Sequence, residues 1–114
     1  MRPEAHPARF RVRKRAAFQN VYMSGNKQVG PHCVLFAAAG EEGVRRLGVT
    51  ATKKLGNAVK RNQARRLVRE AFRRIRTQMP VGYDYVVVAR QTIFTSSSAE
   101  LQPELLELAR EATR

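Results

Sequence analysis

The chain has 114 residues, 43% of them hydrophobic, which suits one modest core, so we predict a single domain over residues 1–114. Its formal net charge of +13 and pI near 11.4 exceed what solubility requires and predict a polyanionic partner, with nucleic acid ahead of a membrane surface. No apolar run approaches the roughly 18 residues of a spanning helix and Trp is absent, so we expect no membrane partner.

The first fifteen residues carry six Arg and Lys against Glu4. Two prolines interrupt them and no apolar signal-peptide segment follows, so we expect a flexible basic arm over residues 1–15. The lone Cys33 excludes an internal disulfide and fits a reducing compartment. We therefore expect a cytoplasmic protein.

Apolar spacing along the rest of the chain predicts alternating helices and strands, bounded by glycine, asparagine and proline. The first two strands are separated only by the turn GEEG, so we expect them to pair as a hairpin. In chain order the predicted elements are a helix over 16–24, strands over 33–39 and 45–52, a helix capped by Asn57 and uninterrupted until Pro80, a strand over 83–90 and a helix over 100–113.

The order strand, helix, strand between residues 45 and 90 implies a crossover within one sheet. We expect the helices at the two ends of the chain to cover one side of that sheet and one face of the sheet to be open. The predicted fold is α+β, a two-layer α/β sandwich of about four strands with three helices and a βαβ crossover.

The segment KRNQARRLVREAFRRIR, residues 60–76, holds eight Arg and Lys against Glu70 alone. A solvated helix face normally mixes signs, whereas Arg65, Arg69 and Arg73 repel one another at i, i+4 spacing. Because guanidinium groups bind phosphate oxygens bidentately, this face predicts nucleic-acid binding. The helix has an apolar stripe of Ala64, Leu67, Val68, Ala71, Phe72 and Ile75, opposite Asn62, Arg65, Arg66, Arg69, Arg73 and Arg76.

Three aromatic residues can be interpreted in two ways. Phe18 and Tyr22 share a face of the first helix, and Phe36 lies on the following strand. They fit a hydrophobic core, and they equally fit a platform on which single-stranded bases stack beside Thr50 and the arginines. The residues alone leave both readings open.

The sequence contains no recognisable catalytic constellation. His32 and Cys33 are adjacent on a predicted strand and so should face opposite sides, which prevents a nucleophile and base from pairing. Neither a carboxylate cluster, nor zinc-ligand spacing, nor a glycine-rich phosphate loop is present. We expect no catalytic or metal-ligating residue and no small-molecule substrate.

The string LGVTATKKLGNAVKRNQARRLVREAFR, residues 47–73, resembles the signature region of the protein subunit of bacterial ribonuclease P. FQNVYMSG resembles that family's first helix, and YDYVVVAR its last strand. The resemblance implies a ribosomal protein S5 domain 2-like fold whose crossover is left-handed, against the usual right-handed rule.

The same resemblance implies a function. In this family a large RNA holds Mg²⁺ and hydrolyses the bond that releases the 5′ leader of precursor tRNA, while the protein grips the leader and supports metal binding. The implied partners are ribonuclease P RNA, in a 1:1 ribonucleoprotein, and precursor tRNA. The protein alone is expected to be non-catalytic.

Position by position, the resemblance also assigns site residues. Gln63 departs from the family's usual Arg, so a phosphate contact is expected to pass to Arg66, Arg73 or Arg74, and Arg65 stands where Lys is frequent. Leader binding falls to Phe18, Tyr22, Phe36, Thr50, Arg61, Asn62 and Arg65. Contact with the catalytic RNA falls to Lys53, Lys54, Asn57, Arg66, Arg69 and Arg73.

A second hypothesis is a structural RNA-binding protein of the ribosomal type, with similar size and charge but no processing role. A cleft for single-stranded leader beside the arginine helix distinguishes the two, because a purely structural binder does not need one.

Overall fold

The computed structural model describes residues 11–12 and 15–114, and in that part of the chain three helices and four strands form as the α+β prediction requires. Short 3-10 turns connect some of them, at Lys53–Leu55, Arg76–Gln78 and Gln91–Thr95. The elements are helix α1 (Arg15–Ser24), strands β1 (Asn26–Val29), β2 (Cys33–Ala39) and β3 (Arg45–Thr50), helix α2 (Ala58–Ile75), strand β4 (Tyr83–Ala89) and helix α3 (Ser98–Ala112).

The strands form one mixed sheet in the order β1-β2-β4-β3. β4 lies between β2 and β3, antiparallel to the first and parallel to the second, so the expected hairpin of β2 with β3 is wrong. The physical reason is that Val86 and Val87, which face opposite sides of β4, are both buried, and a strand apolar on both faces belongs in the centre of a sheet. α2 makes the crossover from β3 to β4, and the hand of that crossover stays a prediction.

Strand β1 is not among the strands that the sequence predicts. It pairs antiparallel with β2 as the outer strand of the sheet. Its four residues, NKQV, are mostly polar and too few to show an alternating pattern. Pairing with β2 rather than local preference therefore makes this segment a strand.

Helices cover both faces of the sheet, so the expectation that the end helices share one side is wrong. α2 and α3 pack over the face that carries Leu35 and Leu47. α1 packs on the opposite face, where Val21 joins Ala38 and Val86 in a smaller cluster. Because the central strands are apolar on both faces, each face needs a cover, and the short α1 covers only part of its own.

α2 begins and ends at identifiable contacts. The Asn57 side-chain oxygen accepts a hydrogen bond from the Lys60 N–H at 3.0 Å, which confirms the predicted N-cap. At the other end the helix stops at Ile75, and the Arg45 Nε donates to the Met79 carbonyl at 2.6 Å. The apolar stripe faces the core as predicted, with Ala64, Val68, Ala71, Phe72 and Ile75 buried and Leu67 partly buried.

Most of the predicted basic arm lies outside the described residues. Arg11 and Val12, however, lie against the outer edge of β3, where the Val12 N–H donates to the Leu47 carbonyl at 3.0 Å. The Val12 side chain is buried, and Arg15 opens α1, so these three residues do not belong to a loose arm. Within the described ranges, none of the helices combines the length and apolar character needed to cross a bilayer.

Candidate nucleic-acid interface

Three aromatic rings and one threonine meet on the face of the sheet that α1 partly covers. The Tyr22 ring stands edge-on to Phe36 at 5.0 Å between centroids, and the Phe18 ring is 6.5 Å from Tyr22. All three side chains are half-buried and pack against the small cluster that includes Val86. The rings thus help hold α1 in place, as the core interpretation predicts, and keep part of their surface exposed. Base stacking on that surface stays a prediction.

A hydrogen bond ties this aromatic group to the end of β3. The Tyr22 hydroxyl and the Thr50 Oγ1 are 2.5 Å apart, and both residues are partly buried. Four of the seven residues assigned to the leader are therefore in contact with one another: Phe18, Tyr22, Phe36 and Thr50.

The other three residues assigned to the leader lie on the first turns of α2. Asn62 accepts a hydrogen bond from the Arg65 Nη1 at 3.0 Å, which orients that guanidinium. The Nε of Arg61 is buried and has no hydrogen-bond partner among the described residues. A buried donor without a partner is unfavourable, and in this conformation the Nε is shielded from acceptors outside the chain. In the described part of the chain no hydrogen bond joins these residues to the aromatic group.

Further along α2, three guanidinium groups lie close together. Burial lowers the pKa of Arg69 from its usual value, and the nearby charges of Arg11 and Arg65 lower it further. Arg11 reaches this position because its segment pairs with β3. Arg11 is not among the site residues predicted from the sequence, although the alternation of Phe10 and Val12 with arginines is the pattern of a strand.

The same helix contains one carboxylate, and it binds two of the arginines. Glu70 accepts from the Arg73 Nη2 at 2.8 Å and Nε at 3.1 Å, and from the Arg74 Nε at 3.1 Å. The expected unrelieved repulsion along Arg65, Arg69 and Arg73 is therefore wrong at its last member, because Arg73 is paired with an acid. Arg66, by contrast, is exposed.

The loop before α2 carries the remaining residues assigned to the catalytic RNA. Lys53 and Lys54 are exposed on a 3-10 turn beyond the carboxyl end of β3, and Asn57 caps the helix. Gln91, which follows the parallel strand β4, donates to the Lys54 carbonyl at 3.4 Å. A cavity of about 310 Å³ lies at the carboxyl ends of β3 and β4, between the loop that follows β3 and the loop that follows β4.

Not every cation contributes to this surface. Arg45 is engaged with carbonyls at the end of α2, and Arg46 pairs with Glu41. Arg90 donates to the Gly30 carbonyl at 2.7 Å and so fixes the loop before β2. Gln63, the residue that departs from the family pattern, lines a small cavity with Arg66, Leu67 and Glu70 of α2 and with Ser98, the first residue of α3.

His32 and Cys33 do not face opposite sides, contrary to expectation. His32 precedes β2 in a turn, and both side chains contact Glu104, from the His32 Nδ1 at 2.7 Å and the Cys33 Sγ at 3.3 Å. Burial, followed by the charge of Glu104, raises the pKa of the Cys33 thiol, which opposes thiolate formation. Among the described residues, no group of three or more His, Cys, Asp or Glu is arranged to hold a metal ion.

Comparison with known proteins gives a consistent result. A family model described as Ribonuclease P matches residues 7–113. The chain is 35% identical over 103 residues to the ribonuclease P protein component of Brevibacillus brevis, covering 90% of this chain and 82% of that protein. Its fold is similar to the RNase P protein from Thermotoga maritima, with a TM-score of 0.79 at 28% identity over 89% of this chain and 96% of that chain. The Staphylococcus aureus RNase P protein gives 0.70 at 30% identity over 90% and 94%.

Proposed function

Since this chain belongs to the ribonuclease P protein family and is the accessory subunit of a ribonucleoprotein endoribonuclease, we propose that it binds the 5′ leader of precursor tRNA through the aromatic group on the sheet face that α1 partly covers. The observation that carries the proposal is the contact of Phe18, Tyr22 and Phe36 on a sheet face that α1 covers only in part. Tyr22 is also bonded to Thr50, at the end of the strand that leads into α2. Half-exposed rings stack bases without requiring a particular sequence, and stacking contributes roughly 1 to 3 kcal/mol per base.

In this proposal the polar residues of α2 and of the loop before it are divided between two RNA partners. Arg61, Asn62 and Arg65 bind the leader backbone, and Asn62 orients the Arg65 guanidinium for that contact. The catalytic RNA meets the exposed Lys53, Lys54 and Arg66, together with Arg69. Asn57 acts mainly through the helix, because its side-chain oxygen is already used as the cap.

Glu70 makes the contribution of Arg73 conditional. Its carboxylate and the RNA phosphates compete for the same guanidinium donors. We therefore assign Arg73 to the catalytic RNA as a weaker contact than Arg66.

Hydrolysis belongs to the RNA subunit in this proposal. Magnesium prefers carboxylate, phosphate and water oxygens, and the described residues offer no cluster of carboxylates for it. We assign Mg²⁺ mainly to the RNA, and the protein's cations lower the repulsion between leader, substrate and catalyst. A 1:1 complex with the RNA and a cytoplasmic location are part of the same proposal.

Reconstitution tests the proposal directly. The protein is added to a bacterial ribonuclease P RNA at a magnesium concentration where the RNA alone is nearly inactive, with precursor tRNA as substrate. We expect cleavage at the mature 5′ end, and no cleavage by the protein without the RNA. Polylysine of comparable charge is the control for simple neutralisation. Equal rescue by polylysine, or none by the protein, would contradict the proposed function and favour a purely structural RNA binder.

A further inference from the structure

The sheet has two outer edges, and within residues 11–12 and 15–114 only one of them is occupied. The outer edge of β3 is paired with the segment containing Arg11 and Val12. The other edge is β1, which is bonded to β2 on its inner side. Unpaired strand edges are templates for another strand, so the free edge of β1 requires an explanation.

The hydrogen-bond pattern shows which groups on β1 are free. The Gly30 N–H donates to the Cys33 carbonyl at 2.8 Å, so residues 30 and 33 form a hydrogen-bonded pair. In an antiparallel ladder such pairs alternate, so Gln28 is bonded to Leu35, whereas the backbone groups of Lys27 and Val29 point away from β2. Two donors and two acceptors are thus presented on one edge.

A groove runs beside this edge, between β1 and α3. Its volume is about 400 Å³, and its floor includes the side chain of Leu108, which is nearly buried. Glu107 and Glu111 line its rim and are exposed, and Glu111 accepts a hydrogen bond from the Arg114 Nη2 at 2.6 Å. On the opposite face of the strand, the Val29 side chain is 60% exposed. Lys27 lies on the same face as Val29, with its Nζ 6.0 Å from the Phe36 ring centroid. The edge therefore has an acidic side and an opposite side that carries Val29 and one cation.

We propose that the β1 edge binds an extended segment of a partner protein in which basic residues alternate with apolar ones. Successive residues of an added strand point to opposite faces. Basic side chains on one face would meet Glu107 and Glu111, and apolar side chains on the other would lie beside Val29. The added backbone would bond to Lys27 and Val29.

Charge separates this occupant from the two obvious alternatives. A second copy paired through β1 would place both α3 helices on the same face of one continuous sheet, which brings Glu107 and Glu111 of each copy toward those of the other. RNA is disfavoured because the groove is acidic. The arginine-rich helix α2 makes the crossover between β3 and β4, toward the edge of the sheet that is far from β1. The β1 edge therefore stays available when RNA is bound to α2.

The test uses three labelled synthetic peptides with the full chain and fluorescence anisotropy. Acetyl-KVKVKV-amide has the required alternation, acetyl-KKKVVV-amide has the same composition without it, and acetyl-EVEVEV-amide has the opposite charge. We expect the alternating basic peptide to bind at least tenfold more tightly than either control. Because the whole protein repels a basic peptide, binding reports a local acidic site.

Two kinds of variant then locate the site. Val29→Pro removes an outward donor without removing a ladder hydrogen bond, and Glu107→Gln with Glu111→Gln removes the rim charges. Each should lower the affinity for acetyl-KVKVKV-amide at least tenfold. The double variant Glu42→Gln and Glu100→Gln, which changes two exposed residues and removes the same charge, should leave that affinity unchanged. The glutamine variants decide the question if the proline variant unfolds.

Three outcomes would overturn the proposal. Equal binding of the two basic peptides would show that charge alone is recognised. Unchanged binding by the glutamine rim variant would place the peptide elsewhere. Dimers in sedimentation that disappear with Val29→Pro would show that a second copy occupies the edge.

Discussion

At the scale of single residues, Gly48 determines where α1 can lie. A Cβ added at Gly48 would be 2.6 Å from the Phe18 Cζ and 3.0 Å from the Val12 Cβ. The sequence shows Gly48 only as one position in an alternating strand, because its contact partners are distant in the chain. The side of the sheet that α1 covers could therefore not be predicted from the periodicity of the segment.

Replacing Gly48 by alanine should destabilise the protein. Phe18 would have to move, and overpacking of this kind lowers the free energy of unfolding by about 1 to 3 kcal/mol. Urea denaturation followed by circular dichroism measures the change. Gly43→Asn is the control, since Gly43 has a positive φ of 78° in open space and asparagine tolerates that conformation. An unchanged midpoint for Gly48→Ala would refute the packing described.

The ring and the hydroxyl of Tyr22 should have separable roles. Tyr22→Phe removes the hydrogen bond to Thr50 and should lower the free energy of unfolding by about 0.5 to 1.5 kcal/mol. The retained ring should keep leader affinity within about threefold, since stacking uses the ring face. Unfolding midpoints and binding to precursor tRNA check both statements. A tenfold loss of leader affinity would instead assign the hydroxyl to recognition.

At the scale of the element, α2 shows what sequence patterns do and do not determine. The cap at Asn57 and the buried stripe follow from local spacing and are confirmed. The pairing of Glu70 with Arg73 and Arg74 is also local, at i, i+3 and i, i+4. The excess of Arg and Lys over a single acid in this segment does not reveal that pairing. The approach of Arg11 to Arg69 could not be predicted from the sequence, because it depends on the pairing of Arg11 with the edge of β3.

The Glu70 pair predicts a pH dependence of stability. Hydrogen bonds from Arg73, then from Arg74, lower the pKa of Glu70 from its usual value. The stabilisation is therefore complete above the carboxyl's unfolded pKa of about 4.3 and is lost as pH falls through the lower folded value. Glu70→Gln should be less stable than the parent at pH 7, and the two should converge in strong acid.

Urea midpoints between about pH 7 and pH 2 measure this convergence. Glu42→Gln is the matched control, because Glu42 lies exposed in a turn. A constant difference between the parent and Glu70→Gln over the whole range would remove the carboxylate from the explanation.

At the scale of the whole molecule, charge is distributed by the order of the strands. The crossover helix α2 brings its arginines over β3 and β4, whereas α3 brings glutamates beside β1. The sequence predicted the basic face of α2 and the α+β class. It did not predict the strand order, because the insertion of β4 between β2 and β3 depends on burial of both its faces.

This distribution predicts a strong salt dependence of assembly. Six or more phosphate contacts should reduce affinity for ribonuclease P RNA on the order of 10³-fold between about 50 and 200 mM monovalent salt. Filter binding at several salt concentrations gives the slope. Arg66→Gln should make that slope shallower by roughly one contact. A flat response would contradict the role of the arginine face.

The proposed recognition of the leader by the aromatic group is tested by comparing two affinities. The reconstituted ribonucleoprotein is titrated with precursor tRNA and with mature tRNA, for the parent and for Tyr22→Ala. Phe94→Ala, a half-buried ring on the turn after β4, is the control. We predict that Tyr22→Ala weakens precursor binding about tenfold and leaves mature tRNA unchanged, as one lost stacking contact implies. Equal weakening of both substrates, or the same selective loss in Phe94→Ala, would contradict the account.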